Sequence, residues 1–455
     1  MKSFKESLRI YNVIFKNNKL PIQFYCKSHF FFYGLLGERI IAKTRINIKS
    51  IAYLLFCLIV TLRSLITLLK VLIIKKNYIA HFQIGIKNSN DLFYDIRSDY
   101  IIKKISLKNT INFVYSSSSK FVILNYFKYP NPIFIKEIYY LITFFKNFEK
   151  QESKAKKIFF NNFKYQKKLL SKYSYFVAYS KVLINFLNDL LPILKIKKFI
   201  FIDDTRYINE LIVACKNNRI KTIGYMQGRI NEYHVGLKHI KFDIYLCWSN
   251  YFKDKILTLN NQYRSKDIII IGHPYWREYN CIKNNNLDKK NILIIGETSV
   301  NYKYMAEFIK NISNNKNLNL FFRDKPGFNV LKNFKTNIFN DKIIIDNTKN
   351  IYESFKKNQI NIVVGTLSTV LLESWIFGIP SIIIKNPYDY GSHIYNDRLS
   401  DLVKSPKKIN QIIRKNLLLR KHFIKKRCNK IWDSNNFLNN QKRFNKISKD
   451  ISLIN

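Results

Sequence analysis

Short apolar runs alternate with helix-periodic stretches along most of this sequence, from about Tyr78 onward. Apolar runs of strand length predict strands at 120–127, 197–204, 221–228, 242–249, 267–274, 291–297, 319–324, 342–346, 360–365 and 380–385. Apolar residues at helical spacing predict helices at 138–148, 166–190, 208–217, 302–312, 351–357 and 369–377. Because strands alternate with helices and two-residue hairpin signals are missing, the pattern predicts α/β domains with doubly wound parallel sheets.

One polar stretch, YNCIKNNNLDKK at 279–290, interrupts the alternation and predicts a linker between two domains. The chain then divides into an N-terminal helical region (1–77), a first α/β domain (78–278), the linker, a second α/β domain (291–404) and basic C-terminal helices (405–455). Two such domains face each other across a cleft, and α/β folds bind ligands at the carboxyl ends of their strands.

The most apolar segment is Ile51–Ile74, IAYLLFCLIVTLRSLITLLKVLII. As a helix it would be about 36 Å long, but Arg63 and Lys70 interrupt it on one face. Three interpretations remain open: a buried helix, an interfacial helix whose basic side chains reach lipid phosphates, and a membrane span, which is the least favoured. Lys75 and Lys76, directly after the segment, favour the interfacial position.

Composition narrows the class of protein. A length of 455 residues suggests two or three domains. The hydrophobic fraction of 47% excludes a disordered or fibrous chain. Lys and Arg number 78 against 30 Asp and Glu, a formal net charge of +48. The charge is spread along the chain, as an A+T-rich coding sequence produces, and it favours anionic partners such as phospholipid head groups and sugar nucleotides. A nucleic-acid-binding protein stays as the non-enzymatic alternative, although no motif supports it.

The cysteines and the N-terminus indicate the compartment. Six cysteines without a Cys-x-x-Cys pair argue against a zinc ribbon or a disulfide framework, and therefore indicate a reducing environment. Residues 1–25 lack the apolar core of a signal peptide. We expect a cytoplasmic protein that is peripheral to the inner membrane.

The most informative stretch is NIVVGTLSTVLLESWIFGIPSIII at 361–384. It predicts a buried strand, a small-residue turn, a helix, Gly378 as the helix stop and another buried strand. A helix that begins after such a turn presents free N–H groups and hydroxyls to a diphosphate, and a carboxylate one helical turn later can accept from ribose hydroxyls. The alternative is that the serine only caps a structural helix. The candidate donor-binding residues are Gly365, Thr366, Ser368, Thr369 and Glu373.

This turn, its helix and the following Gly-x-Pro resemble the donor domain of GT-B glycosyltransferases that build bacterial surface polysaccharide and lipopolysaccharide. Further stretches agree in order with that family: KTIGYMQGRINEYH (221–234), DIYLCWSNYFKDKI (243–256), DIIIIGHPYWRE (267–278) and NLFFRDKPGF (319–328). The match covers roughly 195–400, and there is a looser similarity to bacterial sialyltransferases and CDP-glycerol glycerophosphotransferases. It implies two Rossmann-like domains, the first for the acceptor and the second for the nucleotide-sugar donor.

The resemblance also adds candidate ligands. Gln227 and Gly228 stand where the family has His-Gly, and the amide of Gln227 can only hydrogen-bond. Lys325 stands where bacterial sialyltransferases carry a histidine, so it can neutralise phosphate charge but is a poor proton donor at neutral pH. Arg323 could form two hydrogen bonds to the same phosphates.

An inverting transfer needs a base for the acceptor hydroxyl. Asp203 and Asp204 follow a buried strand, and two adjacent carboxylates repel each other, which raises the pKa of one. They resemble a two-acid motif of bacterial sialyltransferases, although Thr205 stands here where that motif has glycine. The equally open alternative is that one of the two acids only caps the following helix. His234 is a secondary catalytic candidate. For His273, which precedes Pro274, a structural or hinge role is favoured.

Missing motifs narrow the chemistry. There is no Asp-x-Asp, no Glu-x7-Glu ending at Glu373, no Walker or Gly-x-Gly-x-x-Gly loop and no metal-ligand spacing. Together with these absences, the resemblance to GT-B glycosyltransferases implies a metal-independent, inverting glycosyltransferase without a cofactor. Its partners would be a nucleotide-sugar donor, a polysaccharide or lipid-linked acceptor and the anionic inner-membrane surface, and not nucleic acid. The alternatives are a CDP-polyol phosphotransferase, as in teichoic-acid synthesis, and a nucleotide-sugar epimerase of the same fold.

Overall fold

The structure is a computed structural model of the 455-residue chain. It describes residues 4–15, 20–35, 51–74, 76–84, 110–115, 122, 131–145, 148–163, 167–202, 208–226, 228, 230, 235–273, 290–297, 302–325, 334, 343–348, 350–385, 399–433 and 437–452.

Two parallel sheets form the framework. The first has seven strands in the order β3-β2-β1-β4-β5-β6-β7, and every described strand pair in it is parallel. Its strands are β1 (Tyr78–Ile84), β2 (Thr110–Tyr115), β3 (Pro132–Phe134), β4 (Ile196–Ile202), β5 (Lys221–Tyr225), β6 (Ile244–Cys247) and β7 (Ile268–Ile270).

The second sheet has six strands in the order β10-β9-β8-β11-β12-β13, again all parallel. Its strands are β8 (Lys290–Ile295), β9 (Leu318–Arg323), β10 (Ile343–Ile345), β11 (Ile362–Gly365), β12 (Ser381–Ile384) and β13 (Asp401–Val403). In both sheets the chain starts near the middle, winds to one edge and returns to build the other half, which is the Rossmann-like order.

Helices connect and flank the strands. They are α1 (Phe4–Phe15), α2 (Gln23–Cys26), α3 (Ser28–Leu35), α4 (Ile51–Ile74), α5 (Ile135–Phe145), α6 (Phe148–Asn162), α7 (Lys167–Ile193), α8 (Ile208–Asn217), α9 (Asn250–Leu259), α10 (Tyr302–Ser313), α11 (Ile351–Lys357), α12 (Val370–Glu373), α13 (Ile409–Leu417), α14 (Lys421–Trp432) and α15 (Phe437–Ser452).

The architecture confirms the α/β, GT-B-like class with an extra helical N-terminal segment. The sequence pattern missed β1, β2, β3 and β13. The strand predicted at 120–127 lies outside the described residues apart from Val122, and so does the linker apart from Lys290, the first residue of β8.

The helix predicted at 369–377 is wrong as a single α-helix: α12 has four residues, and the chain tightens into a 3-10 turn at Ser374–Phe377. Gly378 ends it at φ 73°, as its glycine predicted.

The N-terminal helices pack within the first domain. Tyr11, Phe15, Phe24, Phe31 and Phe32 are buried against α6 and α7 in an aromatic cluster. Lys27 donates to Glu210 of α8 at 2.9 Å, and both side chains are almost completely buried. Ser180 of α7 donates to the other oxygen of Glu210 at 2.6 Å. The segment is therefore attached by a shared core and by a buried ion pair.

Among the residues that the structure describes, two helices are long and apolar enough to cross a membrane by length and composition, Ala52–Ile74 within α4 and Lys168–Ile193 within α7. In their most apolar windows, 28% of the α4 residues but 61% of the α7 residues are buried. Since α7 packs beside the first sheet and the N-terminal helices, it is a core helix.

The C-terminal helices return to the first domain. Trp432, the last residue of α14, donates its Nε1–H to the carbonyl of Leu372 in the second domain at 3.2 Å. Its ring centroid lies 5.6 Å from that of Trp248, which follows β6 of the first sheet. Phe444 and Ile451 of α15 then pack on residues from several first-sheet strands. These contacts hold the two domains together.

The buried Lys27–Glu210 pair gives a first prediction. Lys27→Met leaves an uncompensated carboxylate in the core, so we expect a loss of about 3–5 kcal/mol in unfolding free energy, measured by urea denaturation. The double variant Lys27→Met/Glu210→Leu should recover part of that loss. Lys156→Met removes an exposed helical ion pair with Glu152 and should cost about 0.5 kcal/mol or less. Equal losses of unfolding free energy in Lys27→Met and Lys156→Met would contradict the conclusion that the buried ion pair stabilises the attachment of the N-terminal helices.

Candidate functional site

The second sheet reverses its winding between β8 and β11, which are neighbours. In an open α/β sheet, ligands bind beside such a reversal, at the carboxyl ends of the strands. Three connections start there: Gly296 and Glu297 after β8, Asp324 and Lys325 after β9, and the turn Thr366–Thr369 after β11. We call this group the donor-domain site.

The turn after β11 leads into the four-residue helix α12, and its side chains are partly engaged. The Ser368 Oγ accepts from the Val370 N–H at 3.3 Å, whereas Thr369, the residue directly before α12, makes no side-chain capping bond. Thr366 is buried, and its Oγ1 has no hydrogen-bond partner. The backbone carbonyl of Thr369 accepts the first helical hydrogen bonds, from Leu372 and Glu373.

Glu297 is the unexpected member of the site. Its carboxyl is buried, and the backbone N–H groups of Leu367 and Ser368 donate to it. Oε1 of Glu297 has no hydrogen-bond partner. Burial raises the pKa of Glu297 to about 7, against the opposing effects of the Lys325 ammonium and these two N–H groups. Near neutral pH both the neutral and the ionised form of this carboxyl are therefore accessible, so it can either accept or donate a proton.

A close backbone approach positions Glu297. The Gly296 N–H donates to the Arg323 carbonyl at 2.8 Å, which extends the β8–β9 pairing by one residue. A Cβ at Gly296 would lie 3.0 Å from the Phe322 ring and 3.2 Å from that carbonyl, so only glycine fits without a shift. The next side chain, that of Glu297, then accepts from the Leu367 and Ser368 N–H groups after β11 and interacts electrostatically with Lys325 after β9.

The two cations predicted for phosphate have different surroundings. Lys325 is exposed at the mouth of the site and acts electrostatically on Glu297. Nη1 of Arg323, in contrast, donates to Asp346 and to Thr348, each at 2.8 Å, and its side chain is only 14% exposed. Burial alone would raise the pKa of Asp346, but hydrogen bonds from Ser354, Arg323 and Thr348 outweigh it and hold that pKa below its ordinary value. Arg323 therefore fixes β9 against the chain after β10.

Glu373 faces the domain boundary. Its Oε2 accepts from the Tyr352 hydroxyl at 3.3 Å, and its Oε1 lies 3.6 Å from Nε2 of His273 in the first domain. The ring of His273 packs against the rings of Trp248 and Trp432, with centroid distances of 4.8 and 5.4 Å. A ribose hydroxyl bound to Glu373, as the sequence predicted, would compete with Tyr352 and His273 for the carboxylate. His273 itself lies at the domain boundary, where its structural or hinge role was expected.

The first domain reaches the same site through Gly228. A Cβ placed on Gly228 would lie 3.5 Å from Oγ1 of Thr369, so the two domains approach each other beside the turn. Asp203, Asp204, Gln227 and His234 lie outside the described residues. In the chain, Asp203 and Asp204 directly follow β4, which pairs with β1 where the first sheet reverses its winding. Their catalytic roles stay predictions.

Sequence reasoning missed Glu297. A single acidic residue after a strand is common and does not by itself indicate a site. Glu297 could have been found by noting that Gly296-Glu297 follows the first strand of the second domain, whose carboxyl end lies beside the turn after β11 in a doubly wound sheet. Within the described ranges, no three His, Cys, Asp or Glu side chains are grouped as a metal site would need.

No protein-family model and no curated protein matches this sequence. Solved structures are similar in overall fold. They include the S. aureus MnaA–UDP co-structure (12% identity, 83% of this chain and 98% of that chain, TM-score 0.48) and UDP-N-acetylglucosamine 2-epimerase from Rickettsia bellii (12%, 83% and 95%, 0.48). They also include a variant of the wall teichoic acid polymerase TagF (13%, 82% and 89%, 0.47). An epimerase and a polymerase catalyse different reactions, and the likeness is too low to choose between them.

The raised pKa of Glu297 gives a second prediction. The folded chain holds this proton more tightly than the unfolded chain, whose pKa is near the ordinary 4.5, so the unfolding free energy falls as pH rises from about 4.5 to about 7. Glu297→Gln cannot ionise and lacks this contribution. Between about pH 5 and pH 8, the wild type should therefore lose up to about 3 kcal/mol relative to the variant in urea unfolding.

Glu137 is a second buried acid whose pKa burial raises to about 7, so both proteins will lose stability with rising pH, and only the difference between them reports on Glu297. Parallel stability curves for the wild type and Glu297→Gln would show that Glu297 keeps an ordinary pKa.

Proposed function

We propose that this protein is a metal-independent, inverting glycosyltransferase that moves a sugar from a nucleotide-sugar donor to a surface polysaccharide or lipopolysaccharide acceptor. The observation that carries the proposal is the donor-domain site. It combines backbone N–H groups, the Lys325 ammonium and a protonatable carboxyl at the point where the second sheet reverses its winding. Gly228 of the first domain approaches the same turn.

In this proposal the donor phosphates lie beside Lys325 and the turn Thr366–Thr369. The ammonium of Lys325 neutralises the charge that develops as the nucleotide leaves. Glu297 supplies what a lysine cannot, because its neutral form can donate a hydrogen bond or a proton to a departing phosphate oxygen. Its ionised form would instead repel the phosphates, so donor binding favours the protonated carboxyl.

The acceptor side rests on the first domain. The acceptor hydroxyl attacks the anomeric carbon, the bond from that carbon to the phosphate oxygen breaks, and the hydroxyl proton passes to a base. We assign the base to Asp203 or Asp204, which follow β4 in the chain, with His234 as the secondary candidate. Gln227 is proposed to hydrogen-bond the donor, which is a substrate and not a resident cofactor. The acceptor is proposed to lie at the cytoplasmic face of the inner membrane.

The exposed apolar face of α4 favours a transferase with a membrane-borne acceptor over an epimerase, which needs neither acceptor nor membrane. Acceptor dependence separates the two reactions. A transferase releases nucleotide efficiently only when an acceptor is present, whereas an epimerase changes the sugar of the nucleotide sugar without one. A CDP-polyol phosphotransferase would instead release CMP from its donor.

The third prediction concerns donor binding. A thermal-shift panel of UDP, GDP, CMP, dTDP and CDP should show stabilisation by one nucleotide, since a ligand at 100 times its dissociation constant stabilises by about 2.7 kcal/mol. For that nucleotide, Lys325→Met should weaken binding by about 10- to 100-fold, the loss of a charged hydrogen bond. The double variant Ser368→Ala/Thr369→Val should also bind it more weakly.

Lys310→Met, on the exposed face of α10, is the matched control with the same charge change. If Lys325→Met and Lys310→Met bind the nucleotide equally well, and the double variant keeps full affinity, the donor lies elsewhere.

The fourth prediction concerns the base. Asp203→Asn or Asp204→Asn should lower kcat by about 10²–10⁴-fold at the residue that acts as base, with nucleotide affinity nearly unchanged. Asparagine keeps the size and the helix-capping ability of aspartate, so a purely structural role predicts a nearly normal enzyme. Wild-type turnover in both variants would reject the acidic pair and make His234 the next residue to test.

A further inference from the structure

Helix α4 has one face in the protein and one face outside it. Five residues at helical spacing are buried, Cys57, Val60, Ser64, Thr67 and Val71. On the opposite side ten large apolar side chains are 40–78% exposed, namely Leu55, Leu58, Ile59, Leu62, Leu65, Ile66, Leu69, Leu72, Ile73 and Ile74. The exposed face runs almost the full length of a helix of about 36 Å. Contiguous apolar surface on this scale marks an interaction site.

The buried face is bound to the first domain by specific hydrogen bonds. Oγ of Ser64 accepts from the Phe134 N–H at 3.1 Å, and Oγ1 of Thr67 donates to the Pro132 carbonyl at 3.0 Å. Both partners belong to β3, the edge strand of the first sheet. The helix also packs on α5 through Cys57, Tyr140 and Leu141. Two hydroxyl groups of α4 therefore attach it to the edge strand of the first sheet, while the ten large apolar side chains of the opposite face are left outside.

The charged side chains that α4 itself carries have one sign. Residues 51–74 contain no Asp or Glu, and they include Arg63 and Lys70. Lys70 is exposed at the side of the face, where it donates to Asn131 at 3.0 Å, and Lys76 is exposed two residues beyond the helix. An apolar stripe bordered by basic side chains is complementary to acyl chains bordered by anionic head groups.

We propose that α4 binds the surface of an anionic membrane, with its exposed face in the outer acyl region and its axis in the plane of the bilayer. The attachment to β3 and α5 dictates this orientation, because a spanning position would carry the edge of the first sheet into hydrocarbon, where backbone groups cannot be satisfied by water. This inference deepens the membrane-borne acceptor of the proposed function, and because vesicle binding is measured without donor or acceptor, its failure is distinguishable from a failure of the proposed reaction.

The other long apolar helix supports the choice of α4. α7 has comparable length, but it is buried between the N-terminal helices and the first sheet.

A second copy of this chain could also cover an apolar face. The positive charges bordering α4 would then face the same charges of the partner, which disfavours that occupant.

Vesicle co-sedimentation of the full-length chain tests the proposal. The wild type should bind vesicles that contain phosphatidylglycerol, bind pure phosphatidylcholine vesicles more weakly, and be partly released by high salt. The triple variant Ile59→Glu/Ile66→Glu/Ile73→Glu alters one line of the exposed face and should lose about tenfold or more in affinity. The corresponding triple leucine variant should bind like the wild type.

A matched control carries the same three charge changes elsewhere. Ile344→Glu/Leu418→Glu/Phe423→Glu replaces exposed apolar residues of the second domain and the C-terminal helices, and it should bind vesicles nearly as well as the wild type. Equal losses in both triple variants would overturn the proposal, because net charge alone would then explain binding. Self-association that the α4 triple variant abolishes, with no vesicle binding by the wild type, would assign the face to a second copy.

The orientation has its own test. Ser50→Cys and Lys76→Cys, each in a Cys281→Ser background, place a thiol just outside either end of α4 rather than on its exposed apolar face. On protein added to intact vesicles, a membrane-impermeant maleimide should label both positions from outside. Labelling of either end only after the vesicles are permeabilised would show a membrane span and overturn the in-plane orientation.

Discussion

The arrangement of the two domains depends on the contact made by Trp432 at the end of α14. Its indole donates to the Leu372 carbonyl of the second domain, while its ring packs beside Trp248 and His273 of the first. The 3.6 Å approach of His273 to Glu373 and the approach of Gly228 to Thr369 lie in the same boundary. Because α15 continues onto the first sheet, the end of the chain closes over both domains. A site that needs residues from both sheets depends on this contact, since neither sheet alone brings Gly228 to the turn after β11.

The N-terminal helices have a comparable role within the first domain. Five of their eight residues in the shared core cluster are aromatic, and hydrophobic packing of this kind is largely non-directional. The Lys27–Glu210 pair, together with the Ser180 hydroxyl, adds a constraint that only one arrangement satisfies. The first sheet is therefore supported by the N-terminal helices, by α4 at its edge strand and by α15.

Much of the fold follows from the sequence, because buried parallel strands are continuous apolar runs such as IIII at 268–271 and IVVG at 362–365. The missed strands lack that signal: β3 and β13 have three residues each, and β1 carries His81, whose ring nitrogens are buried without a hydrogen-bond partner. The turn after β11 could be found from its small residues. The contact of Glu297 with this turn could not be found from the sequence, because residues 297 and 367 are 70 positions apart and meet only through the pairing of β8 with β11. Local pattern predicts an anion site, and tertiary structure supplies the competing carboxyl.

That competition has a thermodynamic consequence. The N–H groups of Leu367 and Ser368 are the donors that an anionic ligand would use, and the carboxyl of Glu297 already accepts from them. A phosphate that binds there must replace an ionised Glu297, whereas a protonated Glu297 can yield the N–H groups and donate to the phosphate instead. Ligand binding and protonation are therefore linked: the ligand raises the pKa of Glu297, and by reciprocity protonation raises the affinity for the ligand. Because the pKa is already about 7 in the free chain, a small shift changes the charge of the site at neutral pH. The same residue that costs stability when ionised thus makes the donor-domain site responsive to the charge of what binds.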